Sequence, residues 1–434
     1  MGMTIVEKIL AKKSNKERVV PGENIWVDVD NLLTHDVCGP GAASIFKREF
    51  GENAKVWDKE KVILIPDHYI FTKDKYAMRN LEIVKEFAKE QDLKYYYEPF
   101  TSDYKGVCHI AFAEEGHAMP GKVMFGTDSH TCTAGAFGQF ATGIGNTDAG
   151  FILGTGRLWV KVPETIRFTF NGKFPKYVMG KDIVLQTIGD IGFDGATYCC
   201  MQYDGEAIGD LNMDERMTIC NMAIEAGGKC GIIEPDQTTI DYVKARTDAP
   251  FDVYHSDADA TYKSEHIYEA AEMEPVVAQP YSPANVEKAK NLEDVKITRS
   301  YIGSCTGGKT TDFYAAAEIL KGRKTVVDTF IVPATTKVEK DLNEIKIGDE
   351  TLMEILEKAG CLIGPPSCGA CLGGPEDTFG RTHANEVVIS TTNRNFHGRM
   401  GSMESKVYLA SPYTAAASAV TGYITDPRKF MEGE

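Results

Sequence analysis

The sequence has no run of roughly 18 or more apolar residues and no charged, apolar leader at its start. A membrane-spanning helix needs about 20 such residues, so we expect no membrane anchor and no secretion, and we predict a cytoplasmic protein. The chain also has no internal repeat and no low-complexity segment. These absences indicate a globular protein, and 434 residues suffice for two or three domains.

Positive charge is also in short supply. Lys and Arg number 47 against 63 Asp and Glu, which gives a formal net charge of −16. Such a surface repels nucleic acid, so we expect no nucleic-acid partner. A small anionic substrate would need a local cluster of arginines inside a cleft.

Strand-like and helix-like segments alternate in the first part of the chain. Strand patterns cover Asn24 to Asp30, Lys61 to His68 and Lys122 to His130, and a helix pattern covers Arg79 to Glu90. This alternation predicts an α/β unit with a largely parallel sheet. Binding sites collect at the carboxyl ends of such strands, where the motifs D-H and D-S-H fall.

The remaining sequence predicts two further α/β units. The segments Asp182 to Ile191 and Glu215 to Ala226 have helical spacing, and the polar, acidic stretch from Ala249 to Glu293 suggests a helix and a crossover linker. A second alternation of strands and helices begins at V-K-I-T-R-S-Y-I-G-S-C. We therefore predict three α/β domains, at residues 1–162, 163–290 and 291–434, that face one cleft.

Eleven cysteines without a secretory signal favour free thiols and metal ligands over disulfides. Free cysteine is most often a core residue, and we assign that role to Cys108, Cys132, Cys199, Cys200, Cys220 and Cys230. Cys305 in G-S-C-T-G-G and the pair Cys368 and Cys371 in P-P-S-C-G-A-C-L-G-G differ, because their glycine-rich surroundings free the backbone to aim each sulfur.

Three sulfurs on an iron–sulfur cubane would leave one iron open to a substrate hydroxyl and carboxylate. Zinc and redox-active thiols are alternatives for the C-x-x-C pair. Cys361 is a possible fourth ligand that would saturate the cluster, but K-A-G-C-L-I-G resembles a short apolar strand. We therefore expect Cys361 to be a core residue.

Three histidines are candidates for acid–base chemistry. Asp67 directly precedes His68, Asp128 lies two residues before His130, and His109 stands before a helix-like segment. A single histidine at a strand end is more often structural, but a carboxylate neighbour that raises the imidazole pKa suits a proton donor. Farther on, Asn221 and Glu225 are four residues apart and would share a helix face.

The motif N-R-N-F-H-G-R follows a strand and carries Arg394 and Arg399. The planar guanidinium group matches a carboxylate with two hydrogen bonds, so the two arginines are candidates for binding a dicarboxylate. A solvated surface loop is the structural alternative.

Taken together and in this order, the motifs resemble the aconitase superfamily, within it the large subunits of the isopropylmalate dehydratase and homoaconitase type. The shared motifs are P-D-H, T-D-S-H-T, I-C-N-M-x-x-E, G-S-C-T, S-C-G-x-C and N-R-N-F-x-G-R, and the likeness runs from P-G-E-N-I-W to S-P-Y-T-A-A-A-S-A. It implies three α/β domains around a central cluster cleft. It also implies a [4Fe-4S] cluster on Cys305, Cys368 and Cys371, with one labile iron that binds substrate.

The resemblance also implies three histidine–carboxylate pairs. They are Asp67 with His68, Asp128 with His109, and Glu225 with His130. His68 would protonate the departing hydroxyl group, and the other two pairs would orient water and substrate. Hydrogen bonds near the cluster would come from Ser129 and Asn221, and Arg394 and Arg399 would bind the substrate carboxylates.

The activity implied is a hydro-lyase that interconverts 2-isopropylmalate and 3-isopropylmalate in leucine biosynthesis. Homoaconitase, 2,3-dimethylmalate dehydratase and a two-subunit aconitase share this chemistry, and an RNA-binding regulator is an alternative that the net charge disfavours. Nothing in the sequence resembles the swivelling domain that carries the serine base in full-length aconitases, so we expect a separate small subunit to supply it. One departure is Gly307-Gly308-Lys309, where related large subunits usually have Asn-Gly-Arg.

Overall fold

The computed structural model describes residues 2–430, in which strands and helices alternate along the chain. The strands are β1 (Asn24–Asp28), β2 (Asn31–Thr34), β3 (Val62–Leu64), β4 (Tyr95–Tyr96), β5 (Val123–Gly126), β6 (Phe140–Gly143), β7 (Arg157–Lys161), β8 (Thr165–Asn171), β9 (Cys200–Asp204), β10 (Cys230–Ile233), β11 (Ser264–Glu269), β12 (Val276–Ala278), β13 (Val286–Lys288), β14 (Arg299–Gly303), β15 (Asp328–Val332), β16 (Lys346–Ile347), β17 (Glu350–Thr351), β18 (Leu362–Ile363), β19 (Val387–Ser390) and β20 (Lys406–Ala410).

The α-helices of the same residues lie between these strands. They are α1 (Ile5–Lys13), α2 (Gly39–Phe50), α3 (Lys75–Glu90), α4 (Cys108–Glu114), α5 (Asn146–Thr155), α6 (Gly180–Ile191), α7 (Glu206–Gly209), α8 (Met213–Asn221), α9 (Gln237–Lys244), α10 (Thr310–Leu320), α11 (Thr336–Glu344), α12 (Leu352–Ala359) and α13 (Pro412–Thr421).

The strands form three large sheets. The first is parallel, in the order β4-β3-β2-β5-β6, and its strands β2, β3 and β5 are buried along their whole length. The second is parallel, in the order β10-β9-β8-β11. Continuous burial of apolar strands is typical of parallel sheets that helices cover on both faces. The α/β class that the sequence predicts is confirmed.

The third sheet has the order β13-β12-β20-β19-β14-β15-β18. Its strands β14, β15, β18, β19 and β20 are parallel, while β12 runs antiparallel to both β13 and β20. Strands β12 and β13 precede the predicted domain boundary at residue 290 and nevertheless join this sheet. The division into three domains stays a prediction.

One expectation about local structure is wrong, and two predicted strands are shorter than expected. The segment from Ala249 to Glu293 contains no α-helix, and its regular elements are β11, β12, β13 and two short 3₁₀ turns. Alternate side chains of β11 pack on β8, since His266 stacks on Phe168 and Tyr268 on Phe170. That period of two belongs to an edge strand.

The predicted strand from Asn24 to Asp30 is confirmed over residues 24–28, which form β1. It lies outside the parallel sheet, because it pairs antiparallel with β7 in a separate two-stranded ribbon. The strand that enters the first sheet is β2, which follows at once. The predicted strand from Lys122 to His130 also ends early, because β5 stops at Gly126 and a 3₁₀ helix begins at Ser129.

A single hydrophobic cluster joins the three sheets, and it contains Ile63 of the first, Phe168 of the second and Tyr301 of the third. Close packing of this cluster fixes the sheets relative to one another. The loops that follow β3, β5, β14 and β19 therefore extend from sheets that share one core. No helix within residues 2–430 has both the length and the apolar character that a membrane crossing requires.

Candidate active site

The candidate site lies where loops leave the carboxyl ends of parallel strands. Asp67 and His68 follow β3, Asp128 follows β5, Cys305 follows β14 and the N-R-N-F-H-G-R motif follows β19. This is the position at which open α/β sheets bind their ligands. Ion pairs and hydrogen bonds hold these loops close to one another, since His68 lies near Asp128, Asn393 donates to Cys305, and Glu225 joins His130 to Arg394.

The loop that carries His68 is anchored by Asp36, which follows β2. Asp36 Oδ1 accepts hydrogen bonds from the backbone N–H groups of Asp67 and His68 at 2.9 and 3.0 Å, and Oδ2 accepts from the N–H of Tyr69 at 2.8 Å. A buried carboxylate with three donors is well satisfied. Asp36 thus fixes the backbone on which the His68 ring is mounted.

His68 forms the first histidine–carboxylate pair. Its Nδ1 lies 2.6 Å from Asp67 Oδ1, and Asp67 Oδ2 accepts a hydrogen bond from the N–H of Cys108 at 2.8 Å. Burial acts to lower the pKa of His68, but Asp67, with Asp128 and Asp36, raises it to about 10. The ring is therefore an imidazolium at neutral pH, with Nε2 as its remaining donor.

Asp128 connects three histidines. Its Oδ1 lies 2.8 Å from His109 Nε2 and accepts a hydrogen bond of 2.8 Å from the backbone N–H of His130, while its Oδ2 lies 3.7 Å from His68 Nε2. Burial opposes ionisation of Asp128, yet His109 and His130 hold its pKa well below the usual range. The carboxylate thus stays charged and orients the rings around it.

Glu225 pairs with His130 and with one arginine. Its Oε1 lies 2.7 Å from His130 Nε2 and accepts a hydrogen bond from Arg394 Nε, also at 2.7 Å. Burial and Arg394 act to lower the pKa of His130, but Asp128 and Glu225 raise it to about 9. Ser129 Oγ lies 3.3 Å from Nδ1 of the same ring. The three expected pairs are thus all within hydrogen-bonding distance.

The three candidate ligand cysteines lie together in the buried part of the cleft. Cys305, Cys368 and Cys371 are 2%, 6% and 2% exposed, and Cys368 neighbours the other two thiols. The neighbouring Cys368 thiol, with help from His130 and His109 and against burial, lowers the pKa of Cys305 to about 6. Cys368 also lowers the pKa of Cys371, whereas its own pKa is raised well above the usual range by the two neighbouring cysteines. The surroundings therefore favour the thiolate, the form that binds metal, at Cys305 and Cys371.

Two amide groups donate to the Cys305 sulfur. Asn221 Nδ2 lies 3.1 Å and Asn393 Nδ2 lies 3.2 Å from Cys305 Sγ. Asn221 is the last residue of α8, and Asn393 precedes Arg394 in the loop after β19. Asn393 Oδ1 also lies 3.1 Å from Cys371 Sγ.

The two arginines differ in what they contact. Arg394 is paired with Glu225, whereas the buried Nε of Arg399 has no hydrogen-bond partner within the described residues. Burial acts to lower the pKa of Arg399, but Cys371 and Asp128 raise it, so the guanidinium stays charged. A buried donor without a partner is costly and indicates a place where a ligand accepts.

Cys361 lies apart from this group. It follows α12 and belongs to the hydrophobic cluster around α10, α12 and β15, where burial raises its pKa to about 12. At Gly307, one of the two departures from the usual Asn-Gly-Arg, a Cβ would lie 2.1 Å from Thr391 Oγ1, so the loop leaves no room there for a side chain.

Sequence reasoning missed several residues of the site, namely His35, Asp36, Lys181, Lys309 and Asn393. His35 and Asp36 follow the carboxyl end of β2, and the rule that drew attention to Asp67 and His68 applies equally to them. The His35 ring lies 4.5 Å from the His68 ring between centroids, and its buried Nε2 has no partner in residues 2–430. No local pattern marks Lys181, and Lys309 stands out only as the last residue of the Gly307-Gly308-Lys309 departure.

Comparison with known proteins agrees with this geometry. The sequence pattern of the aconitase family (aconitate hydratase) matches residues 7–422. The 3-isopropylmalate dehydratase large subunit, chloroplastic, of Arabidopsis thaliana is 58% identical over 99% of this chain and 87% of its own length. The 3-isopropylmalate dehydratase large subunits of Thermodesulfovibrio yellowstonii and Aquifex aeolicus are 46% and 43% identical, over 99% and 100% of this chain and 99% of their own lengths. The chain therefore belongs to the aconitase family.

Proposed function

We propose that the chain is the cluster-binding large subunit of a hydro-lyase that interconverts 2-isopropylmalate and 3-isopropylmalate in leucine biosynthesis. The observation that carries this proposal is the convergence of three histidine–carboxylate pairs on three buried cysteines. The identity of the substrate is taken from the relatives named above, which are called 3-isopropylmalate dehydratases.

Cys305, Cys368 and Cys371 would hold the [4Fe-4S] cluster of the family. The donor set fits, because three thiols lie together, two amide N–H groups point at one sulfur, and the pKa values of Cys305 and Cys371 are lowered. Three protein ligands leave one iron of a cubane without a protein ligand, and Cys361 is not proposed as a fourth ligand. When bound, such a cluster supplies Lewis-acid stabilisation of the substrate hydroxyl and carboxylate.

His68 is the proposed proton donor to the departing hydroxyl group. Asp67 holds Nδ1, so the proton available for transfer is on Nε2, which faces Asp128 at 3.7 Å. The raised pKa keeps that proton in place at neutral pH until the hydroxyl leaves. In the reverse direction the same nitrogen accepts a proton from the attacking water.

Asp128 and Glu225 are proposed to orient His109 and His130 toward water and substrate. Each carboxylate fixes one ring nitrogen and thereby the direction of the other nitrogen. His109 Nδ1 is buried and without a partner in the described residues, so a bound hydroxyl or water is the group that it would meet. Ser129 adds a hydroxyl beside His130.

Arg399 and Arg394 are proposed to bind the two substrate carboxylates. Arg399 offers a buried Nε without a partner, and Arg394 keeps its terminal nitrogens available while Nε is held by Glu225. Guanidinium groups at this position stabilise the negative charge that develops when a proton is removed next to a carboxylate. A small dicarboxylate therefore fits the charge of the cleft.

A separate small subunit is proposed as the partner, because each relative named above is called a large subunit. It would supply the base that removes the α-proton and the pocket for the isopropyl group. We expect the reconstituted chain alone to have little or no isomerase activity and co-expression with a small subunit to restore it. Full turnover by the purified large subunit would contradict the two-subunit assignment.

The substrate is tested with the reconstituted pair. We expect turnover of isopropylmalate to exceed that of homocitrate, citrate and dimethylmalate, measured as alkene absorbance under identical conditions. A clear preference for one of the other three acids would reassign the substrate while leaving the reaction class in place.

A further inference from the structure

Two lysines are fully buried beside the Cys305 loop and have no part in the proposed reaction. Lys181 lies in α6 and Lys309 directly precedes α10, and each is 1% exposed. A buried ammonium group is costly unless every proton has an acceptor. The acceptors of each lysine identify the segments of the chain that its side chain connects.

Lys181 connects the Cys305 loop to the loop that carries Asn393. Its Nζ donates to Thr306 Oγ1 at 2.9 Å, to the carbonyl of Thr391 at 2.9 Å and to the carbonyl of Thr392 at 2.7 Å. Burial lowers the pKa of Lys181 to about 7, but three acceptors match the three N–H groups of the charged form. The ammonium thus joins the residue after Cys305 to the two residues before Asn393.

Lys309 connects the same loop to α8. Its Nζ donates to Thr218 Oγ1 at 2.8 Å, to the carbonyl of Cys305 at 3.3 Å and to Asp312 Oδ2 at 2.8 Å. Thr218 lies one helical turn before Asn221 on α8. Lys309 therefore fixes the helix that carries Asn221 against the backbone of Cys305.

The two segments that the lysines fix are the ones that donate to the Cys305 sulfur. Asn221 and Asn393 approach that sulfur from different elements, and Asn393 Nδ2 also lies 3.2 Å from Asn221 Oδ1. Hydrogen bonds to ligand sulfurs raise the reduction potential of an iron–sulfur cluster, and buried positive charge nearby acts in the same direction. Residues that hydrogen-bond to the metal ligands also affect the affinity of the site for the metal.

We propose that Lys181 and Lys309 are positioning residues that hold the Asn393 and Asn221 amides against the Cys305 sulfur, and that they thereby set the reduction potential and iron retention of the cluster. The inference rests on the proposed function only in requiring that a cluster binds at Cys305. It assigns the two lysines no contact with substrate.

The test uses the full chain, reconstituted anaerobically, with the variants Lys181→Met and Lys309→Met. The matched control is Lys229→Met, since Lys229 is a half-buried lysine whose Nζ lies over the Tyr198 ring at 5.0 Å and contacts no part of the site. Two quantities are measured for each protein, namely the midpoint potential of the cluster in a redox titration and the rate of iron release to a chelator.

We expect a more negative midpoint potential in both site variants and iron release about 10- to 100-fold faster, with the control unchanged. Wild-type potential and wild-type iron release in both variants would overturn the inference and leave the proposed function intact. If the wild-type chain itself assembles no cluster, the proposed function fails first and the inference with it.

A methionine variant that does not fold is replaced by Thr306→Val or Thr218→Val. Each of these removes one acceptor of one lysine, almost without change of side-chain volume. We expect a smaller shift of the potential in the same direction, and a potential equal to that of the wild type in both valine variants would again overturn the proposal.

Discussion

The chain buries the same two residue types in two different ways. In the cleft, Cys305 has a pKa lowered to about 6 and His68 a pKa raised to about 10. In the cores, burial raises the pKa of Cys361 to about 12 and lowers that of His117 to about 4. All four residues are buried, so burial alone does not decide their charge.

The difference lies in the neighbours. His117 hydrogen-bonds to the neutral hydroxyl of Tyr97, at 2.7 Å, and Cys361 is packed among apolar side chains of α10 and α12. His68 faces carboxylates, and Cys305 faces thiols, amides and histidines. Desolvation disfavours the charged form in both places, and in the cleft nearby charges and hydrogen bonds outweigh it. The surroundings thus favour the charged forms of His68 and Cys305 in the cleft and the neutral forms of His117 and Cys361 in the cores.

The largest effect on activity is expected for a cysteine of the cleft, in contrast to Cys361 of the core. Cys305→Ala removes a proposed cluster ligand, so we expect loss of both the cluster and all measurable isomerase activity. Iron analysis and an activity assay of the variant, co-expressed with a small subunit, check this. A Cys305→Ala protein that retains full iron content and activity would place the cluster elsewhere.

The next effect concerns the histidines. His68→Ala removes the proposed proton donor, and we expect kcat to fall by roughly two to four orders of magnitude with the iron content unchanged. His117→Ala, a cavity-forming change in the core, should lower stability but leave the kcat of the folded protein close to that of the wild type. A loss of less than tenfold for His68→Ala would remove its assigned role.

Arg399→Lys should have an intermediate effect. Lysine keeps the charge but loses the planar pair of donors, and hydrogen bonds to charged groups contribute about 1.5–3 kcal/mol. We therefore expect kcat/KM to decrease by about 10- to 150-fold, since about 1.4 kcal/mol corresponds to a factor of ten. Unchanged kcat/KM would show that Arg399 does not bind substrate.

The two histidines should also give opposite pH dependences of stability. The pKa of His68 is raised from 6.5 to about 10, so its contribution is fully present below pH 6.5 and is lost as the pH rises through about 10. The pKa of His117 is lowered to about 4, so stability is lost as the pH falls from 6.5 through about 4.

Denaturant unfolding of the apoprotein at a series of pH values measures how its free energy of unfolding changes on the alkaline and on the acid side. We expect His68→Gln to flatten the alkaline side of the stability profile and His117→Gln to flatten the acid side. Identical profiles for the two variants would mean that the contrast between cleft and core is absent in solution.

The smallest effect is expected for Cys361→Ala. This change removes one sulfur from an apolar cluster, so we expect a loss of about 1 kcal/mol in the free energy of unfolding and wild-type iron content and activity. Reduced iron content in this variant would make Cys361 a ligand and contradict its place in the core.

The sequence predicts those parts of the site that sit directly after strands. Asp67, His68 and Asp128 follow buried apolar strands. The glycine-rich surroundings of Cys305 and Cys371 distinguish these two cysteines from the others in the sequence alone. The apolar residues around Cys361 in the sequence likewise predict that it is a core residue and not a ligand. The α/β class follows from the alternation of strands and helices.

Other features depend on contacts that sequence patterns do not encode. Lys181 meets Thr306 and Thr391 across 125 and 210 residues, and nothing local distinguishes it from a surface lysine. Strand β11 (Ser264–Glu269) lacks the apolar alternation of a buried strand, because it lies at a sheet edge with its other face in solvent. Such positions are set by tertiary packing and not by local preference.

The central claim is that three cysteines hold a cluster with one iron free of protein ligands. The most direct test is mild oxidation of the anaerobically reconstituted chain, followed by electron paramagnetic resonance. We predict a paramagnetic three-iron form, with the same signal in Cys361→Ala. A cluster that resists oxidation, with its four irons intact, would show a fourth protein ligand and contradict the account.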